Sequence, residues 1–205
     1  NEQGYREVIG ISVAQGESEV AWSEFFEQLK ARGLNNVDHV TSDNHSGLVK
    51  VIRKSFSRAT WQRCQTHFSR NMLDKTPKQH QPAMKRALTD MYNAPSLQEA
   101  MRRKGRILTQ FDQTAPKATA LLDESFADIT AVFSLPEAYR KRLRTSNAIE
   151  RLNEELRRRE RVIRIFPNED SLIRLMGAVL IEQHEKWESG KKYFDMAPYY
   201  QNRAS

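Results

Sequence analysis

A single cysteine, Cys64, is all that this 205-residue chain contains. No internal disulfide can form, and a reducing cytosol is the compartment that suits such a chain. Long apolar runs are missing as well. None approaches the roughly 20 residues of a membrane span, so no membrane partner is expected. No basic-then-apolar leader stands at the front, where Asn1 begins a polar turn. A start at Asn rather than Met is what a fragment or trimmed chain shows. Internal repeats and low-complexity stretches are absent too.

What is present is charge. Lys and Arg number 33 against 26 Asp and Glu, a formal net charge of +7. A basic protein points toward nucleic acid or an anionic membrane surface. A chain of this length can bury roughly 70% of the surface its unfolded form exposes, enough for one or two domains.

The front of the chain has an α/β pattern. Gly4 reads as the turn of a hairpin. Tyr5 to Val13, with Val8, Ile9, Ile11 and Val13, reads as a strand. Ser18 caps a helix through Trp22, Phe25, Phe26 and Leu29, and Gly33 stops it. Val37 to Ser42 is a second strand, 47–56 a helix with Leu48, Ile52 and Phe56 inward, and Ala59 to Arg63 a third strand. From Phe68 to Arg144 the pattern is helical. Helices are expected over Pro82–Met91, Ser96–Phe111 and from Pro116, with Ser96 and Glu99 as a capping box. Asn147 to Arg161 is an arginine-rich helix. Residues 172–190 form a last amphipathic helix, and the tail from Lys191 is expected to be loosely held.

Asp43 and Glu150 are the residues with most to say about chemistry. Asp43 ends a predicted strand, where α/β sheets place ligands. The commoner cause of such an Asp is an Asx-turn or a helix cap. Asn44 and His45 beside it could orient a ligand or simply face solvent. Glu150 lies three residues after Asn147, a spacing that capping also explains. Asn153 and Arg157 share its helix face, while Ile149, Leu152 and Leu156 make the apolar stripe. Glu154 and Glu155 are expected to pair with Arg157, Arg158 or Arg159. The surrounding basic stretch includes Arg140, Lys141, Arg142, Arg144, Arg151, Arg157, Arg158, Arg159, Arg161 and Arg164. Guanidinium groups suit bidentate phosphate contacts, although charge runs are often only solvated faces. Cys64-x-x-His67 is half of a zinc-ligand pattern. Alone it is more often a buried thiol and a histidine bonded to backbone.

Taken together these motifs resemble the Mutator-type transposases of bacterial insertion sequences. The resemblance rests on residues 4–11, on Glu17-Ser18-Glu19 with Trp22 and Phe25, and on Ser42-Asp43-Asn44-His45-Ser46-Gly47-Leu48. It rests also on Trp61 through Cys64, His67, Arg70 and Asn71, and on Thr145-Ser146-Asn147 with Glu150, Asn153 and Arg157-Arg158-Arg159. It implies a DDE enzyme with an RNase H-like core, incomplete at its N-terminus and interrupted by an all-α insertion. The implied layout is core over 1–67, insertion over 68–144, core again over 145–190 and a tail over 191–205. It implies Asp43 and Glu150 as catalytic ligands of Mg²⁺ or Mn²⁺. Asn153, Arg157, Arg158, Arg159 and Arg161 would bind DNA, and His45, Cys64, His67, Arg70 and Asn147 would support the site. The implied partners are the element ends and target DNA, and further copies of the chain in a homo-oligomer. The implied location is the bacterial cytoplasm, at the nucleoid.

One element of that pattern is missing. The family's first catalytic Asp sits two strands ahead of Tyr5, and Glu2, Glu7 and Asp38 fall at the wrong places in strand order to replace it. The chain is therefore expected to be a C-terminal portion, inactive alone. A nonenzymatic DNA-binding or oligomerising remnant, and a helical RNA-binding module, stay open beside it.

Overall fold

A computed structural model describes residues 1–14, 16–163 and 165–203. The chain divides into two compact units. One, here the terminal unit, comprises 1–36, 46–55 and 147–205. The other, the central unit, comprises 37–45 and 56–146. No helix among the described residues is long and apolar enough to cross a membrane.

The central unit holds the only ladder among the described residues. Strands β1 (His39–Ser42) and β2 (Thr60–Arg63) pair in parallel, with Val40 opposite Trp61 and Ser42 opposite Arg63. Five helices follow in this unit, with the numbers α1 and α2 belonging to the terminal unit. They are α3 (Gln65–Asp74), α4 (Gln81–Tyr92), α5 (Leu97–Phe111), α6 (Pro116–Thr130) and α7 (Glu137–Leu143). One continuous apolar cluster joins α3 to α6, built on Phe68, Met72, Met84, Leu88, Met91, Ile107, Phe111, Leu122 and Ile129. Each of these helices contributes at helical spacing, so burial of one face rather than propensity holds the bundle.

Buried polar groups fasten β2 to this bundle. Gln62 is fully buried, yet its Nε2 donates to the Arg63 and Ile129 carbonyls and its Oε1 accepts from Val132 N. Gln65 Nε2 donates to the same Ile129 carbonyl. Arg63 donates to Ser125 Oγ and lies over the Phe68 ring. Buried hydrogen bonds of this kind favour one arrangement where an apolar core alone allows several, while Arg63 Nε and Gln65 Oε1 stay buried without a hydrogen-bond partner.

In the terminal unit, α1 (Glu19–Ala31) packs on α2 (Ser46–Ser55) through Phe26, Leu29, Val51 and Ile52. Ser18 Oγ caps α1 by accepting from Ala21 N, and Gly33 ends it at a φ of +102°. Helices α8 (Asn147–Ile163), α9 (Glu169–Glu188) and α10 (Ala197–Arg203) complete the unit.

Four expectations need correction. Tyr5 to Val13 forms no strand and Gly4 no hairpin. The Val and Ile pattern suits a half-buried extended segment, but a strand also needs a neighbour's edge. Here Val8 N donates to His184 Nδ1, the Ile9 carbonyl accepts from Arg32, and Gly10 lies against Leu29 and Phe25. The tail is not loose through residue 201. Tyr193 N and Phe194 N both donate to the Gly4 carbonyl, and Arg6 stacks on Trp187 and Tyr193. Gly4, at a φ of +91°, is required there because any side chain would strike the Phe194 carbonyl. The capping box is half made. Ser96 Oγ accepts from Glu99 N, but the Glu99 carboxylate is taken by Arg102, Arg103 and Arg106. Ile149 is 56% exposed and leaves Leu152 as the buried residue of α8.

Candidate functional site

Asp43 stands at the carboxyl end of β1, and its setting explains its position. Trp61 Nε1 donates to Ser42 Oγ at 2.9 Å, and Cys64 N donates to the Ser42 carbonyl at 2.7 Å. Ser42 Oγ in turn donates to the Asp43 carbonyl. The strand end is therefore held from both sides. The half-buried Asp43 carboxylate accepts from His45 N at 3.3 Å through Oδ1, the Asx-turn geometry. Oδ2 has no protein partner among the described residues, and no cation pairs with the group. The turn and an oxygen donor for a ligand thus coexist in one side chain. His45 is half-buried, and its Nδ1 is buried with no hydrogen-bond partner.

Cys64 follows β2 at the N-cap position of α3 and is fully buried. Its Sγ accepts from Ser146 N at 3.3 Å and Ser146 Oγ at 3.2 Å. A ring nitrogen of His67, one turn into α3, lies within 4.8 Å of that sulfur. Arg70, one turn further, is exposed.

The run ahead of α8 is fastened to the same strand ends. The Leu143 carbonyl accepts from Thr41 Oγ1 and lies 3.3 Å from His39 Nε2. The Arg144 carbonyl accepts from Gln65 N, while its guanidinium donates to the Tyr92 carbonyl and Asn93 Oδ1. Burial depresses the His39 imidazole below its ordinary range, and the Leu143 contact only partly offsets this. Burial pushes the Tyr92 hydroxyl up, against the smaller effect of its bond to Ser69. The sequence assigns no role to Thr41 or Leu143, and names Ser42 and Ser146 only as members of motifs. Their roles depend on partners up to 104 positions away, a distance no local pattern spans.

Helix α8 opens at Asn147, with Glu150 half-buried in its first turn. Asn153, Arg157, Arg158, Arg159 and Arg161 are exposed. Glu155 receives Arg158 through two hydrogen bonds of 2.7 and 2.8 Å and Arg159 at 3.0 Å. Those bonds, Arg158's first, hold the Glu155 carboxyl down at about 2. The surface pairing expected of Glu155 is therefore present, and it occupies two of the arginines assigned to DNA. Arg157 and Arg161 form no ion pair among the described residues. Arg164 lies outside the described residues.

The family described as "Transposase, Mutator family" matches residues 1–190. The chain is 44% identical over 195 residues to the transposase for insertion sequence element IS256 in transposon Tn4001 of Staphylococcus aureus. That match covers 94% of this chain and 50% of the relative. It is 38% identical over 205 residues to the transposase for insertion sequence element IS1081 of Mycobacterium tuberculosis, covering 100% and 49%. It is 39% identical over 193 residues to the transposase for ISRM5 of Rhizobium meliloti, covering 94% and 48%. The chain spans about half the length of these curated relatives.

Proposed function

Because the chain belongs to the Mutator family of transposases, we propose that it is a catalytic region for DNA transposition, working by metal-dependent phosphodiester hydrolysis and strand transfer. The fold proposed with this is RNase H-like, with core over 1–67 and 145–190 and an all-α insertion over 68–144. Asp43 carries the proposal: a half-buried carboxylate with one open oxygen, at the carboxyl end of a strand in a parallel pair.

The donor chemistry fits a hard divalent cation, since Asp43 and Glu150 offer carboxylate oxygens. These two residues would hold Mg²⁺ or Mn²⁺. Such an ion, when bound, polarises a phosphodiester and activates a water or a 3′-hydroxyl. The chain's own residues position the reactants. Asn153 and Arg157, exposed one and two turns beyond Glu150, would grip the donor strand through its phosphates. Cys64 holds Ser146 through its backbone N–H and its hydroxyl. His45, His67, Arg70 and Asn147 are proposed to support the site. The active assembly is proposed to contain several copies of the chain on element ends and target.

Among the described residues no third acid stands at a matching strand position, so the chain alone is proposed to be inactive. The test is purified chain with Mg²⁺ or Mn²⁺ and a labelled duplex carrying an element end. The expected result is binding without cleavage or joining. Cleavage lost in both Asp43→Ala and Glu150→Ala would keep the chemistry and overturn inactivity. Cleavage kept in both would overturn the catalytic assignment. The lack of a third placed acid also favours a second possibility, a nonenzymatic DNA-binding or oligomerising remnant. Duplex binding without any uptake of Mn²⁺ would select it.

A further inference from the structure

The net charge is not where the arginine-rich helix suggests. The central unit has 16 Lys and Arg against 10 Asp and Glu, a net of +6. The terminal unit, which includes α8, has 17 against 16, a net of +1. Helix α8 itself sets five arginines against four glutamates. Within the central unit the cations of α5 are also spent. Arg102, Arg103 and Arg106 converge on Glu99, and Lys104 pairs with Asp123.

The stretch from α3 through α4 differs. Arg70, Lys75, Lys78, Lys85 and Arg86 lie there with two acids, Asp74 and Asp90, between residues 65 and 92, and Asp90 is already paired with Arg103 of α5. All five are exposed, and none forms an ion pair among the described residues. They stand on a fixed frame. Phe68 and Met72 of α3 and Met84, Leu88 and Met91 of α4 enter one core. The connection between the helices is tied down too. Thr76 Oγ1 donates to the Met72 carbonyl, and Gln81 Nε2 to the carbonyls of Leu73 and Thr76.

We infer that the α3–α4 edge is a docking surface for the phosphate backbone of duplex DNA. A cation already neutralised by a carboxylate must exchange one anion for another, whereas these five release only counterions when a phosphate arrives. The packed helices and tied connection that carry them reduce the ordering cost of binding. Exposed amines and guanidinium groups with no base-reading geometry make this a positioning surface, insensitive to sequence. The inference rests on the proposed DNA function and assigns its affinity to the central unit rather than to α8.

The experiment measures binding of the whole chain to a short duplex, without divalent metal, across a salt series. Neutralising Lys78, Lys85 and Arg86 to Gln is expected to flatten the log–log slope by about two to three units, near one for each phosphate no longer neutralised. Neutralising Arg157, Arg158 and Arg159 should flatten it by about one, since Glu155 already holds two of them. Lys78→Arg with Lys85→Arg should keep the slope, and circular dichroism should be unchanged in every variant because these side chains are exposed. Binding with an unaltered slope in the α3–α4 variant overturns this surface alone. No binding by the unaltered chain at low salt overturns the DNA function and the surface with it. Tighter binding of an RNA of equal length would also overturn the assignment.

Discussion

The two units of this chain are built to different standards. Among the described residues 25 hydrophobic ones are buried, 18 in the central unit and seven in the terminal one. Of the 11 exposed large hydrophobics among the described residues, nine belong to the terminal unit, among them Val162 at 77% and Ile165 at 82%. The central unit thus closes around its own core, while the terminal unit leaves apolar surface in water. Exposed apolar surface in that amount marks a region that meets a partner or is weakly held. The two acids proposed for catalysis are divided the same way, Asp43 in the central unit and Glu150 in the terminal one. One proposed acid therefore stands in the strongly packed unit and the other in the weakly packed one.

The largest effect should come from the core. Phe68→Ala or Leu122→Ala in the central unit is expected to cost about 3–5 kcal/mol in urea unfolding. Met176→Ala in the terminal unit should cost no more than about 2 kcal/mol, because its surroundings can collapse further. Equal costs would erase the contrast. Hydrogen exchange sharpens it: amides of α4 to α6 should be the slowest, with α8 and α9 opening far below the global free energy.

Smaller is the expected effect of Ser146→Ala, about 0.5–1.5 kcal/mol for the hydrogen bond its hydroxyl makes to Cys64. Thermal melts of this variant beside Cys64→Ala would show whether the two effects overlap, as they should for residues that touch.

The pH dependence is smaller again. His39 titrates lower in the folded state than its ordinary 6.5, so the unfolded chain binds its proton more readily. Stability from the neutral imidazole is complete above the unfolded pKa and declines as pH falls below about 6.5 toward the folded value. Urea midpoints between about pH 8 and 5 should show this decline, and His39→Gln should remove it. A midpoint that rises on acidification would contradict the burial of His39. Smallest of all is Glu155→Gln. Its surface pair with Arg158 and Arg159 is solvent-screened, so the urea midpoint should not move measurably.

Much of the helical framework was legible because its signals are local. Ser18, Ser96, Pro116 and Gly33 mark ends by the bonds or φ values they allow, and all four do so here. Tyr5 to Val13 misled because alternating Val and Ile report a half-buried surface, and pairing depends on a neighbour that local sequence cannot name. Ile149 misled because helical spacing gives a stripe but not what covers it. In the candidate site, Asp43 and Glu150 could be singled out from their motifs. The supports could not: Ser42 is reached by Trp61, Cys64 by Ser146 and Leu143 by Thr41, all across folds of the chain. Buried glutamines at 62 and 65 were equally silent, since only their partners distinguish them from surface residues.

The central claim is that Asp43 and Glu150 are metal ligands rather than turn and cap residues. Mn²⁺ binding followed by electron paramagnetic resonance tests it on the whole chain. Asp43→Asn and Glu150→Gln should each weaken binding at least about tenfold, as expected for removal of an anionic oxygen donor, while leaving circular dichroism unchanged. Mn²⁺ affinity equal to that of the unaltered chain in both variants would contradict the account.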